Sequence, residues 1–316
     1  MKKILCVLMS CLLFVMAGCS GHSKNLKFGA ADIGGVYYSF ASTFTQLADN
    51  EIDGYTFETK TTAGSVANLR LISDGYIDLA IVQADLLSDA YNATGTFADK
   101  KYQKGYKAVA SLYTECCQIV VRKDSGITGI DDLINKTVSV GASESGTEKN
   151  AEQILKMSGI TDELINKVNM DYTEAAEKLK AGEIDAFFCT AGTRTEVIGQ
   201  LSKECDIRFI SLDDKCIDKM LSAYSLCEKY TIPAGTYNGQ DSDVTTIGVK
   251  AVLIAKQSLS DDVIKNVTKT IYEHADDFKY ATSLDISFDI NTAADGVDIP
   301  FHSGAAAYYT ERGINV

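Results

Sequence analysis

From residue 26 onward, apolar and polar positions alternate between two periods. Short runs rich in β-branched and aromatic residues read as strands: 27–31, "TFETKT" (56–61), "DLAIVQAD" (78–85), "AVASLYTECCQIVV" (108–121), "TVSVGA" (137–142), "KVNMDY" (167–172) and "DAFFCTAG" (185–192). Between them lie stretches of helical period: 36–48, "VANLRLISDG", "LLSDAYNA", 148–158 and "EAAEKLKAGE". Strands alternating with helices of this length predict parallel α/β units, in which ligands sit beyond the carboxyl ends of the strands. Two such blocks are visible, the first running to about Tyr113 and the second from about Val121 to about Leu226. A later strand (247–254) and one helix over 261–278 follow, with Val263, Ile264, Val267, Ile271, Ala275 and Phe278 on a single core-facing side. A tail that rejoins the first block predicts a two-lobed clamp with hinge strands between two α/β domains.

The amino terminus breaks this rhythm. Lys2 and Lys3 precede an apolar run from Ile4 to Phe14, and Ala17-Gly18 precede Cys19. The run is short for a membrane span, and the basic start and small residues at the end read as an export signal. The stretch resembles a bacterial lipoprotein signal, 1–18, with Cys19 as the lipidated residue. The expected protein is extracytoplasmic and held at the cytoplasmic membrane by lipid, with 19–25 as a tether. A single acyl chain anchors weakly and several anchor stably.

The formal charge of −13 argues against nucleic acid and anionic lipid surfaces as partners. Any anionic ligand must then be caught by local geometry against the overall field. Of nine cysteines, six lie beyond Cys19: Cys116, Cys117, Cys189, Cys205, Cys216 and Cys227. They form no C-x-x-C pair, and His22, His274 and His302 are the only histidines, so no metal site or cofactor is expected. Disulfides among the six stay open on sequence grounds.

The stretch "VSVGASESGTEKNAEQIL" (138–155) approaches a phosphate-binding loop, with Gly141 and Gly146 spaced as in that motif. Thr147 stands where the lysine belongs and Glu148 follows it, which suits a phosphate badly. Three turns share this form: Gly34-Gly35, Ala63-Gly64-Ser65 and 143–147 each follow a strand and open a helix. Each alone is ordinary helix capping. Together, split between two blocks, they predict one shared cradle for a carboxylate, built from helix-start amides and the hydroxyls of Ser65, Ser143, Ser145 and Thr147.

The segments "GGVYYSF", "TTAGSVANLRLISDGYIDLAIVQAD", "VGASESGTEKNAEQIL", "EIDAFFCTAG", "YTIPAGTYNGQDSDVTTIGVKAVLIA" and "IPFHSGAAAYYTERG" resemble, in order, the TAXI-type solute receptors of tripartite (TRAP) transporters. The resemblance implies a two-lobed periplasmic-binding-protein fold, with lobe 1 over 26–115 and 230–316 and lobe 2 over 116–229. It implies a small carboxylate or amino-acid ligand (glutamate, glutamine or a dicarboxylate) and a TRAP-type membrane permease as partner. Carried onto this chain, the ligand contacts are Gly35, Val36, Tyr37, Ser65 and Gln83 from one lobe. Ser143, Ser145, Gly146, Thr147, Ala191 and Gly192 come from the other. Gln83 is the firmer expectation beside Tyr37, because an amide ending an apolar strand is costly unless bonded. The chain departs from the family pattern at Ser39, at Ser143-Glu144 and over Leu226–Tyr230. Glu144 in the cradle would repel a carboxylate if it faced inward.

Other classes carry weaker signals. A secreted α/β hydrolase or transferase lacks a G-x-S-x-G elbow and has few histidines to serve as base, so an enzyme is not expected. A ligand-sensing receptor lobe shares the fold and is not separated from transport by sequence.

Overall fold

The computed structural model describes residues 23–99, 102, 105–283 and 288–316. The expected signal, Cys19 and His22 lie outside them. The parallel units form where the period predicts, with edges shifted by a few residues. The first half contains β1 (Lys24–Gly29), α1 (Val36–Glu51), β2 (Tyr55–Lys60), α2 (Ser65–Ser73), β3 (Leu79–Gln83) and α3 (Ala84–Asn92). Strand β1 pairs in parallel with β2 and β3, and every residue of β3 is buried, as an apolar run covered on both faces requires.

Two long strands join the halves. β4 (Tyr106–Arg122) pairs with β10 (Val244–Lys256) along Tyr106–Cys116, then pairs with β7 (Ala186–Ala191) from Cys116 to Val121. β10 in turn pairs with β9 (Cys227–Ile232) over 244–249 and with β3 over 251–255. Both strands therefore exchange neighbours beside Glu115 and Cys116. The second half adds β5 (Thr137–Ser139), α4 (Gly146–Met157), β6 (Asn166–Val168), α5 (Tyr172–Ala181), α6 (Glu196–Glu204), β8 (Ile207–Phe209) and α7 (Asp214–Ala223). Its parallel core is β6-β5-β7, with β8 antiparallel to β4.

Between β9 and β10 the chain makes contacts with the second half. Tyr237 donates its hydroxyl to Gln118 Oε1 at 2.6 Å, accepts from Thr195 N, and stacks on Phe209. Asn238 bonds the Ser202 carbonyl, and Ile247 packs in the second half's core. Tyr237, Asn238 and Ile247 thus touch the second half, and β10 reaches β3 of the first half from Ala251 onward.

The helix expected over 261–278 is two, α8 (Asp261–Glu273) and α9 (Ala275–Thr282), broken at His274. His274 bonds Glu51 at 2.5 Å and Asp277 at 2.9 Å, and the bend lets Phe278 stack on Phe40 of α1 with ring centroids 4.4 Å apart. Helix α10 (Ser303–Thr310) closes the described chain against α8, capped by the His302 ring, which accepts from Gly304 N. The six cysteines beyond Cys19 are all free thiols, and only Cys205 is partly exposed. None of the helices among the described residues is long and apolar enough to cross a membrane.

Candidate functional site

Five helices begin at the carboxyl ends of their strands and point their amino termini at one cavity between the halves. Its wall takes Gly35, Val36 and Tyr37 from the start of α1, Gly64 and Ser65 from α2, and Gln83 ahead of α3. The second half supplies Ser145, Gly146 and Thr147 from α4 and Asp171 and Tyr172 from α5, with Thr190 and Ala191 ending β7. The space is about 470 Å³, counting the part open to solvent. First-turn amides have no partner inside their own helix, so such a cluster favours negative charge.

The halves touch across the cavity rim. The Arg70 guanidinium, on α2, grips Glu144 with Nε–Oε1 at 3.1 Å and Nη2–Oε2 at 2.7 Å. Beside it the Ala67 amide donates to the Glu144 carbonyl at 3.0 Å. Gln83 Nε2 donates to Asn150 Oδ1 at 3.0 Å from the opposite half. Two glycines let the surfaces approach. A Cβ on Gly146 would lie 2.3 Å from Gln83 Oε1, and one on Gly64 (φ +122°) would lie 3.4 Å from Ser145.

Nine of the eleven expected contact residues line the cavity: Gly35, Val36, Tyr37, Ser65, Gln83, Ser145, Gly146, Thr147 and Ala191. Ser143 is exposed and off the wall. Gly192 is buried behind it, its carbonyl accepting from Thr195 Oγ1 at 2.7 Å. Glu144, in a left-handed conformation at φ +65°, turns away from the cradle to Arg70. Glu148 also turns back, accepting from Glu144 N and Asn169 Nδ2, while the Ser145 hydroxyl oxygen caps α4 by accepting from Glu148 N at 3.0 Å.

The hydroxyls differ from the expected set. Tyr172 O–H donates to the Thr190 carbonyl at 2.9 Å, so in its 2.5 Å contact with Thr147 the threonine is the donor. Thr147 Oγ1 also accepts from Thr190 N at 3.1 Å. Its single proton is committed to the protein, so the Thr147 hydroxyl has none for a ligand carboxylate. Ser65 Oγ accepts from Gln83 N at 3.1 Å and bonds the Tyr37 hydroxyl. Ser145 remains, with its proton and the amides of Gly146 and Thr147.

Three acids on the wall have no counterpart in the expected list. Asp32 lies by the start of α5, and burial and the nearby Asp171 carboxylate raise its pKa. Asp171 caps α5 by accepting from Glu174 N at 2.8 Å. Glu115 lies at the strand exchange of β4, buried, and accepts from Tyr37 O–H at 2.8 Å. Burial is the main cause that raises its pKa to about 8. The one sequence signal for Glu115 was a lone acid inside the apolar run "SLYTECCQIVV". No lysine or arginine is among the described residues that line the cavity.

A family model matches residues 28–313, nearly the whole described chain, and its description is the NMT1-like family. The chain belongs to the NMT1-like family. Solved structures resemble this NMT1-like protein in fold. A Bordetella bronchiseptica RB50 protein aligns with TM-score 0.54 and 17% identity, over 82% of this chain and 76% of that one. A candidate L-cystine ABC transporter protein from Listeria monocytogenes gives 0.53 and 13%, over 82% and 94%. An ancestral arginine-binding protein bound to arginine gives 0.51 and 15%, over 83% and 98%. The architecture is a two-lobed periplasmic-binding-protein fold, in which this cavity is the cleft between the lobes.

Proposed function

We propose that this NMT1-like protein is an extracytoplasmic solute receptor. It binds a small carboxylate or amino acid between its lobes and delivers it to a membrane permease. The observation that carries this reading is the cavity itself, enclosed by five helix amino termini from two lobes that meet at its rim. A ligand carboxylate would take the Gly146 and Thr147 amides and the Ser145 hydroxyl. Closure around it would be completed by contacts across the rim, as at Gln83–Asn150 and Arg70–Glu144.

The sequence resemblance to TAXI-type receptors supports a TRAP-type permease as partner, and the amino-terminal pattern supports a lipid anchor at Cys19. Reversible binding is favoured over catalysis because no histidine is among the described residues of the wall to serve as a base for the Ser145 hydroxyl, and the Thr147 hydroxyl is already spent in the fold. Calorimetry with the proteinogenic amino acids and with C4–C5 dicarboxylates should give one site per chain with the ligand recovered unchanged. A converted product after prolonged incubation would overturn the receptor reading in favour of an enzyme.

A further inference from the structure

Resting on the receptor reading, we infer that Glu115 is the residue that selects the ligand. It holds a primary ammonium group, so the natural ligand is an amino acid and not a dicarboxylate.

The geometry has three parts. First, Glu115 is a buried carboxyl on the cavity wall that accepts its hydrogen bond from a neutral group, Tyr37 O–H, with the neutral Gln83 side chain nearby. The groups facing it from the packed elements are Tyr37 on α1, Asp85 on α3, Tyr113 and Cys116 on β4, Tyr172 on α5 and Cys189 on β7. None is a cation. The neighbouring Lys250 lies on the other face of the sheet, where its Nζ bonds Thr114 at 2.9 Å and approaches Glu228. A buried carboxylate without a cation is unfavourable, and the ligand is the only remaining source of one.

Second, Gln83 lines the cavity and is 2% exposed; its Nε2 is held by Asn150, and its buried Oε1, packed against Gly146, has no hydrogen-bond partner. This orphaned acceptor calls for a donor, and an ammonium supplies three. Third, the wall is divided by sign. The start of α4 offers donors at Ser145, Gly146 and Thr147, while Glu115 and Gln83 offer acceptors, and Gln83 packs against Gly146. A carboxylate and an ammonium separated by a single carbon match this close pairing. A second carboxylate would meet Glu115, Asp32 and Asp171 with no basic side chain to offset them.

The choice has a measurable proton balance. Before binding, the buried Glu115 carries its proton near neutral pH; on binding R–NH3⁺ it becomes a carboxylate, and that proton goes to the solvent. A des-amino acid would bind with Glu115 still protonated and would release none.

The test is calorimetry of the protein at pH 7 in two buffers of different ionisation enthalpy, which counts protons directly. One panel holds the proteinogenic L-amino acids; the other holds succinate, glutarate and 2-oxoglutarate. The expected result is binding from the first panel, with a net release approaching one proton per ligand that vanishes in Glu115→Gln. That variant should bind the amino acid at least about tenfold more weakly. Proton release in the wild-type protein needs no variant, so a misfolded Glu115→Gln does not spare the inference. Binding of the des-amino panel alone overturns the inference and leaves the receptor reading standing. Amino-acid binding without proton release, or a loss caused by Asp32→Asn and not by Glu115→Gln, also overturns it. If neither panel binds, the receptor reading falls, and the inference with it.

Discussion

Replacing Thr147 by valine separates a structural hydroxyl from a ligand-binding one. Valine keeps the branched shape but removes the only oxygen that the Thr190 amide bonds, at 3.1 Å, in a strand residue that is 4% exposed. Leaving such a buried donor unsatisfied costs about 1–3 kcal/mol. The lost bond to Tyr172 adds little, because Tyr172 keeps its own bond to the Thr190 carbonyl. A destabilisation of about 2 kcal/mol should lower the melting temperature of a chain this size by roughly 4 °C. Ligand affinity should change by less than about threefold, since the hydroxyl proton already goes to Tyr172 and the residue 147 amide survives. Thr147→Ser, which keeps the oxygen, should recover most of the melting temperature. The assay is thermal unfolding of the ligand-free protein, paired with calorimetry. A ten- to hundredfold loss of affinity at unchanged melting temperature would refute this reasoning and make the hydroxyl a direct ligand contact.

The rim contacts, the buried acids and the amino-terminal sequence each give a further prediction. Glu144→Gly removes a half-exposed ion pair worth about 0.5–1 kcal/mol but relieves a left-handed conformation that costs a non-glycine residue about 1 kcal/mol, so thermal unfolding should barely move. Because the pair joins the two lobes, both Glu144→Gly and Arg70→Met should weaken ligand binding by up to about fivefold; tighter binding in Glu144→Gly would show that Glu144 repels the ligand instead. Glu115 is raised in the folded protein, so it stabilises below its unfolded pKa and that stability is lost as pH rises through about 8. Asp85, buried and raised to about 6, shares the lower part of this range. Denaturant unfolding between pH 6 and 8 should therefore show a decline of up to about 3 kcal/mol that Glu115→Gln flattens, and an unchanged slope in the variant would remove Glu115 as its source. Cys19→Ala should move the protein from the membrane fraction to the soluble one, and retention on membranes would contradict the lipid anchor.

What the sequence determined by itself is the set of local objects. Strand and helix periods are short-range, and they placed β1 to β7, most of the helices and the turns at Gly35, Ser65 and Ser145 because each depends on residues a few positions apart. The run 261–278 misled for the same reason: its apolar face is continuous, and only the contacts of His274 with Glu51 and of Phe278 with Phe40 bend it. Tertiary structure decided what each polar group is for. Thr147 and Ser65 looked like free donors until Thr190, Tyr172, Gln83 and Tyr37, distant in the chain, took up their capacity. Glu144 looked like an intruder in the cradle until Arg70, 74 residues away, turned it to the rim. Glu115 carried almost no signal, since a lone acid in an apolar strand acquires its meaning only when five helix termini close around it without a cation. Periodicity is written along the chain, but hydrogen-bond saturation and burial are sums over neighbours that only the fold brings together.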